Sequence, residues 1–137
     1  MGMSGSGKTS FIKKHFKDEF VLDLLDFQKR IWPDNVSPTT ELVLQSYEEL
    51  KSEMLNQLNN HDVIIVEHTL LKVQRREPYL SVLKDKNVKI TGYFLDITEK
   101  AFNERHGHTF MYHGAKEIQE LPTMEESFDE LFVISQL

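Results

Sequence analysis

The chain has 137 residues, and its 22 acidic residues outnumber the 16 basic ones, which gives a formal net charge of −6. This length suffices for one compact domain with a buried core, and the acidic excess works against a broad, nonspecific grip on nucleic acid. The chain has no cysteine, which excludes disulfides and thiolate metal sites. It shows no membrane-spanning run and no signal peptide. We therefore expect a single cytoplasmic domain, residues 1–137, with no membrane partner.

The first element is a phosphate-binding pattern. Residues 2–9 read Gly-Met-Ser-Gly-Ser-Gly-Lys-Thr and match the P-loop consensus at every fixed position. Glycines let backbone N–H groups curl around phosphates, and the following helix N-terminus attracts the same anion. We expect this loop to bind Mg·ATP, with Lys8 reaching the β- and γ-phosphates and Thr9 offering its hydroxyl to Mg²⁺. The predicted nucleotide-binding residues are Ser4, Gly5, Ser6, Gly7, Lys8, Thr9 and Ser10.

A loop of this kind normally follows a buried strand, and none precedes it in this sequence. Four strand candidates follow the loop, so the first central strand is the one that is missing. Packing those four alone would leave a slot ~10 Å wide, twice the normal strand spacing, with unpaired backbone groups on both sides. We therefore expect roughly five to eight more apolar residues upstream in the native protein. Direct pairing of the strands that hold Ile65 and Tyr93 would contradict this expectation.

The rest of the chain alternates between helical and strand patterns. Helices are predicted over 8–17, from a capping Ser37 and Pro38 to about residue 60, over 74–86 and over 98–106. Strands are predicted over 19–25, 62–67, 88–96 and 130–134. This alternation favours a three-layer α/β P-loop fold, with helices on both faces of a mostly parallel sheet. Such sheets bind ligands at the carboxyl ends of their strands.

Small phosphotransferases fit this size and pattern better than other P-loop classes. The chain lacks the Asn-Lys-x-Asp guanine reader of GTPases, and ring-forming remodelling ATPases usually have a helical lid domain for which there is no room. A phosphotransferase needs a base that activates the acceptor and a second carboxylate. Asp26 is the favoured base, with Asp23 as the alternative. Glu67, at the end of a strand, is the candidate for the Mg²⁺ shell or its water.

The cations that would stabilise the transferred phosphoryl group are expected among the arginines. The four arginines all follow predicted strands closely; they are Arg30, Arg75, Arg76 and Arg105. Arginine suits bidentate phosphate contacts, whereas lysine serves equally well on a solvated face. We expect Arg105, with Arg76, to stabilise the developing charge. Three nearby histidines, His106, His108 and His113, lack the partners of a metal site and are interpreted as lid residues.

Five blocks of the chain, in order, resemble P-loop kinases related to polynucleotide 5′-hydroxyl kinases, with zeta-toxin-like and gluconate-type kinases as neighbours. The blocks are GMSGSGKTS, VLDLLDFQKR, VIIVEHTLLKVQRR, YFLDITEKAFNERH and LPTMEESFDELFVI. The resemblance implies an ATP:hydroxyl phosphotransferase, with an acceptor aspartate in the second block and arginines in the third and fourth. Two departures stand out. In the third block, the usual Asp-Asn-Thr-Asn is replaced by Glu67-His68-Thr69-Leu70. After Arg105 the chain has no further arginine, and Lys116 is the only lysine in that stretch.

Two alternatives stay open. The segments TLLKVQRREPYL and ERHGHTF also resemble gluconate-type sugar-acid kinases, so the acceptor is either a nucleic-acid 5′ end or a small sugar acid. A non-catalytic ATP-binding module is the alternative from a different class, favoured by the weakened lid and the altered third block. The sequence does not indicate the oligomeric state.

Overall fold

The computed structural model describes residues 1–32, 37–66, 70–106 and 109–136. The chain divides into two compact units: the first comprises Met1–Ile12 and His68–Leu137, and the second comprises Lys13–Glu67. The helices and strands of these described ranges are α1 Lys8–His15, β1 Phe20–Asp23, α2 Leu24–Ile31, α3 Thr40–Gln57, β2 Val63–Val66, α4 Val73–Leu83, β3 Thr91–Ile97, α5 Glu99–His106, α6 Thr109–Ile118 and β4 Glu130–Gln136.

The second unit is a parallel strand pair packed against two helices. β1 and β2 pair in register from Phe20 opposite Val63 to Asp23 opposite Val66. The long helix α3 packs against α2 and against β1. Leu50 lies with the other buried residues of α3 on one face of the helix. This face packs against the apolar side of the unit. The buried apolar residues of this unit are Leu22, Leu24, Phe27, Leu50, Met54 and Val66.

The first unit is built around a second parallel pair. β3 and β4 pair in register from Thr91 opposite Glu130 to Ile97 opposite Gln136. One face of β3 is buried with part of α5 and with the phosphate loop. The residues of this core are Met3, Leu71, Phe94, Ile97, Ala101 and Phe102, and Met1, Tyr112 and Ala115 pack against it. The loop is thus anchored in the apolar core of its own unit.

Met1 lies along the edge of β3 that does not face β4. Its amino group donates to the Tyr93 carbonyl at 2.6 Å, and the Leu95 amide donates to the Met1 carbonyl at 2.9 Å. This is the bonding pattern of a parallel ladder, with Met1 opposite Phe94. Burial, together with the charges of Lys8 and Arg76, lowers the pKa of the Met1 amino group to about 5.

The parallel α/β character predicted from the sequence is confirmed. All four strands pair in parallel, but as two separate two-stranded sheets, β1–β2 and β3–β4. Ile65 therefore lies in the β1–β2 sheet of the second unit, and Tyr93 lies in the β3–β4 sheet of the first. The three-layer arrangement, the single domain and the additional upstream strand stay predictions.

Several predicted boundaries are wrong for local reasons. The strand predicted over 19–25 ends at Asp23 because the Asp23 carboxylate accepts a hydrogen bond from the Leu25 amide at 3.0 Å and caps α2. The predicted cap at Ser37 is likewise displaced, since Thr39 caps α3 by accepting from the Leu42 amide at 3.2 Å. Helices α2 and α6 were not predicted. Within the described ranges, no helix has the length and apolar character needed to cross a membrane.

The cap of α3 gives a test of this boundary. Thr39→Ala removes the side-chain acceptor at the helix N-terminus and should lower the free energy of unfolding by about 1 kcal/mol. Ser37→Ala is the matched control and should leave it unchanged within about 0.5 kcal/mol, as for an ordinary surface substitution. Urea unfolding followed by circular dichroism measures both. A larger loss for Ser37→Ala than for Thr39→Ala would restore the boundary predicted from the sequence.

Candidate nucleotide-binding site

Residues 2–9 form a tight loop that leads directly into α1 at Lys8. The Ser6 amide donates to the Met3 carbonyl at 3.1 Å and closes a turn. Gly5 and Gly7 have φ values of +79° and +89°, in the left-handed region that only glycine adopts without strain. Alternation of such residues with ordinary ones makes a concave nest of N–H groups, which binds anions.

Two interactions hold the loop in place. Met3 is 2% exposed and packs in the core with Phe94 and Phe102. The Lys8 ammonium donates to the carbonyl oxygens of Gly2 and Met3, each at 2.8 Å. The lysine of the motif thus lies over the beginning of its own loop, with its charge at the site where the sequence predicts phosphate.

The loop fits a phosphate-bearing nucleotide. Ser6 is fully buried, and its hydroxyl has no hydrogen-bond partner among the described residues. This hydroxyl lies on the Gly2 side of the loop, because a Cβ on Gly2 would meet both it and the Leu95 carbonyl. The outer face of the loop is therefore the one that a phosphate group would contact. Thr9 and Ser10 are exposed at the first turn of α1, where the hydroxyl of Thr9 is accessible to a metal ion that accompanies phosphate. The residues present therefore suit Mg·ATP.

The end of α5 lies against the middle of the loop. The Arg105 guanidinium donates to the Gly5 carbonyl through Nη1 at 3.4 Å. The imidazole of His106 occupies the position that a Cβ on Gly5 would take. Both side chains are exposed. The structure thus brings Arg105, one of the predicted catalytic residues, to the same loop that Lys8 contacts.

Arg76 has a different environment. It is 2% exposed and forms a two-pronged ion pair with Glu126, with Nε–Oε1 at 2.7 Å and Nη2–Oε2 at 3.0 Å. Its Nη1 donates to the carbonyls of Leu70 and Glu120, each at 3.0 Å. The side chain therefore fastens the segment before β4 to α4. Its predicted catalytic role stays a prediction, and the geometry assigns it a structural one.

Glu126 is held in its charged form by this contact. Burial alone would raise the pKa of its carboxyl, but hydrogen bonds from Arg76 and from the Thr123 amide, with the charge of Arg76, lower it below its usual value. No local pattern in the sequence predicts this pair, because Arg76 and Glu126 are 50 positions apart.

The cation of α6 also has a carboxylate partner. Lys116 donates to Asp96, in β3, at 2.6 Å and lies over the ring of Tyr112. In the same helix, His113 contacts Glu99 of α5 at 3.1 Å. These pairs join α6 to β3 and α5, and neither was predicted. Lys116 is therefore engaged in the packing of α6.

Asp23 and Asp26 line a pocket in the second unit, with a volume of about 480 Å³. Its apolar surface includes Phe20, Leu22 and Phe27, and its polar surface includes Arg30, Ser52 and two further carboxylates, Glu49 and Glu53. The Arg30 guanidinium lies 4.3 Å from the centre of the Phe27 ring. Asp23 is occupied in capping α2, whereas Asp26 is exposed in the first turn of that helix. Of the two, Asp26 has the carboxylate that is available to a ligand.

Of the predicted metal ligands, Thr9 lies in the first turn of α1 as described above, and Glu67 lies outside the described residues. In the parts of the chain that the structure describes, no group of three or more histidine, aspartate or glutamate side chains could hold a metal ion.

The comparison with known protein families supports the interpretation of residues 2–9 as a phosphate-binding loop. A family model described as an AAA domain matches residues 1–108, and these residues include the loop, α1 and the end of α5. The chain belongs to this family of P-loop, nucleotide-binding domains, which includes many kinases. No curated protein matches the chain significantly.

The buried ion pair gives a prediction about stability and pH. Arg76→Met leaves the partly buried Glu126 carboxylate without its partner and should lower the free energy of unfolding by about 1–3 kcal/mol. Because the folded-state pKa of Glu126 is depressed, the stabilisation from this carboxylate is present above its ordinary pKa and is lost as the pH falls through the folded value. Urea unfolding at pH 7 and at pH 3.5 measures both effects.

Glu126→Gln should also destabilise the protein at pH 7 and should remove this part of the acid dependence. Glu125→Gln, at an exposed neighbouring position, is the matched control and should retain it. If Arg76→Met left the stability unchanged, the structural role of Arg76 would be wrong, and its predicted place among the catalytic cations would regain support.

Proposed function

We propose that this protein is an ATP-dependent phosphotransferase that passes the γ-phosphoryl group of Mg·ATP to a hydroxyl acceptor. The observation that carries the proposal is the loop at the head of α1, with two left-handed glycines and the ammonium of Lys8 beside them. Membership of a family that includes many kinases supports the choice of reaction.

The residues of the first unit would bind and orient the nucleotide. Amides of residues 4–9 would surround the phosphates, Lys8 would exchange a loop carbonyl for a phosphate oxygen, and Thr9 would bind Mg²⁺. The ion, when bound, neutralises phosphate charge. Arg105 is the arginine best placed to stabilise the charge that develops during transfer, because it is exposed and already contacts Gly5.

Asp26 is the proposed general base. A carboxylate in this role accepts the proton of the attacking hydroxyl, and Asp26 lines a pocket large enough for a small acceptor. The pocket has four carboxylates and one arginine, so its charge suits a hydroxyl-bearing ligand better than a strongly anionic one. A nucleic-acid 5′ end would have to enter this pocket with few of its phosphates, because the carboxylates repel them. A sugar acid would depend on Arg30 to pair with its carboxylate.

A non-catalytic ATP-binding module is the second candidate. The specific observation in its favour is that Arg76 and Lys116, two of the cations available after the strands, are engaged by Glu126 and Asp96. A binding protein needs the loop but no second cation over the migrating phosphoryl group.

Incubation with γ-labelled ATP and separate acceptors distinguishes these functions. The acceptors are a 5′-hydroxyl oligonucleotide, a sugar-acid mixture and a neutral polyol mixture. Label entering one of them identifies a kinase and its acceptor class. Tight ATP binding without transfer or ADP formation would favour the binding module, and failure to bind ATP would overturn both.

Lys8→Ala tests the nucleotide site. Loss of this charge should reduce phosphoryl transfer by about 10²- to 10³-fold, because the lysine stabilises charge in the transition state. Lys13→Ala, at an exposed position of the same helix, is the control and should leave the rate unchanged. Circular dichroism of both variants shows whether the fold is retained. Equal rates in a folded Lys8→Ala protein would contradict the assignment.

Asp26→Asn tests the base. The amide cannot accept the proton of the attacking hydroxyl, so transfer should slow by about 10²- to 10⁴-fold while the affinity for ATP is unchanged. Asp18→Asn, at an exposed turn position of the same unit, is the matched control. An unchanged rate in Asp26→Asn would place the base elsewhere, whatever the outcome for Lys8.

A further inference from the structure

The His106 imidazole faces the phosphate loop with the ring edge that carries Nε2. Nε2 is the ring atom nearest to the position that a Cβ on Gly5 would take, followed by Cδ2 and Cε1. The imidazole is exposed, and the structure gives it no hydrogen-bond or ion-pair partner within the described ranges. The Nε2 edge of the His106 ring thus lies against Gly5, which allows this close approach because it has no side chain.

One aromatic contact holds the ring in this position, and that contact is itself anchored in the core. Phe102, one turn earlier in α5, packs against the imidazole with ring centres 5.0 Å apart. Phe102 itself is 4% exposed and lies in the same core as Met3 of the loop. The start of α5 is anchored by Thr98, whose hydroxyl accepts from the Ala101 amide at 3.2 Å. The histidine is therefore held by the core that also holds the loop.

We propose that His106 is a nucleotide-binding residue whose imidazole donates a hydrogen bond from Nε2 to the phosphate chain held by residues 4–9. This inference rests on the proposed function. Gly5 lies in the middle of that stretch, so a donor beside it is close to the oxygens that the loop encloses. Imidazole donates from Nε2 in one neutral tautomer and in the protonated form.

His106 would act together with Arg105. Arg105 reaches the Gly5 carbonyl from the same turn of α5, so the two side chains flank one loop residue. A second donor at this point compensates for the absence of arginine after Arg105 in the sequence. Hydrogen bonds to charged groups are stronger than neutral ones, so loss of this donor should be measurable as a loss of affinity.

Two substitutions separate donation from packing. His106→Phe keeps an aromatic ring against Phe102 but removes the donor, and should weaken ATP binding about tenfold. His106→Gln loses the ring but keeps an N–H donor, and should retain affinity to within about threefold of the unaltered protein. His113→Phe is the matched control, because His113 lies in α6 and contacts Glu99; it should bind ATP normally. Isothermal titration calorimetry with Mg·ATP measures all four proteins.

The outcomes distinguish this inference from the proposed function. If the unaltered protein binds ATP and Lys8→Ala does not, but His106→Phe binds as tightly as the unaltered protein, the role of His106 is refuted and the nucleotide site stands. Tighter binding by His106→Phe would show that the imidazole obstructs the loop, which also refutes it. Equal losses in His106→Phe and His106→Gln would show a packing role. No ATP binding by the unaltered protein would overturn the proposed function itself.

Discussion

The candidate site depends on the burial of one loop side chain, that of Met3. Complete burial of a methionine contributes about 1.5–3 kcal/mol, and here the partners are Phe94 of β3 and Phe102 of α5. The loop that would bind phosphate is thereby attached to β3 and to α5, and the end of α5 places Arg105 and His106 at Gly5. Because glycine-rich segments lose much conformational entropy on folding, such an apolar anchor within the motif offsets part of that cost and keeps the nest formed.

Arg76 and Arg105 show how environment divides one residue type into two roles. Arg76 is buried, and a guanidinium removed from water requires both a carboxylate and further hydrogen-bond acceptors; Glu126 and two carbonyls supply them. Arg105 is exposed and makes one long contact, to Gly5. Its charge is therefore available to a ligand at little desolvation cost, whereas Arg76 could leave its site only by leaving the partly buried Glu126 carboxylate unpaired. Position after a strand was common to both and did not distinguish them.

The sequence predicted what is encoded locally. The loop, the parallel pairing and most of the helices and strands follow from a contiguous motif or from periodicity, and the structure agrees with them. The predicted boundaries were wrong where a local side-chain hydrogen bond outweighed the apolar pattern. Asp23 turns a run of apolar residues, expected to remain a strand, into the start of α2. The ion pair of Arg76 with Glu126 and that of Asp96 with Lys116 could not be predicted, because nothing in either partner's neighbourhood encodes the other.

The excess of acidic over basic residues is unevenly distributed along the chain, and this affects which acceptors the proposed phosphotransferase would accept. Residues 13–67 contain 11 acidic and 6 basic residues, whereas the remainder, which includes the phosphate loop, contains 11 and 10. Nearly all of the excess negative charge therefore belongs to the unit that contains Asp26 and its pocket. Repulsion in that unit would oppose the approach of a polyanion at low ionic strength and would weaken as salt screens it. A polynucleotide acceptor would then be phosphorylated faster as salt is added, which is the reverse of the salt dependence of ordinary nucleic-acid binding, while a neutral acceptor would show neither trend.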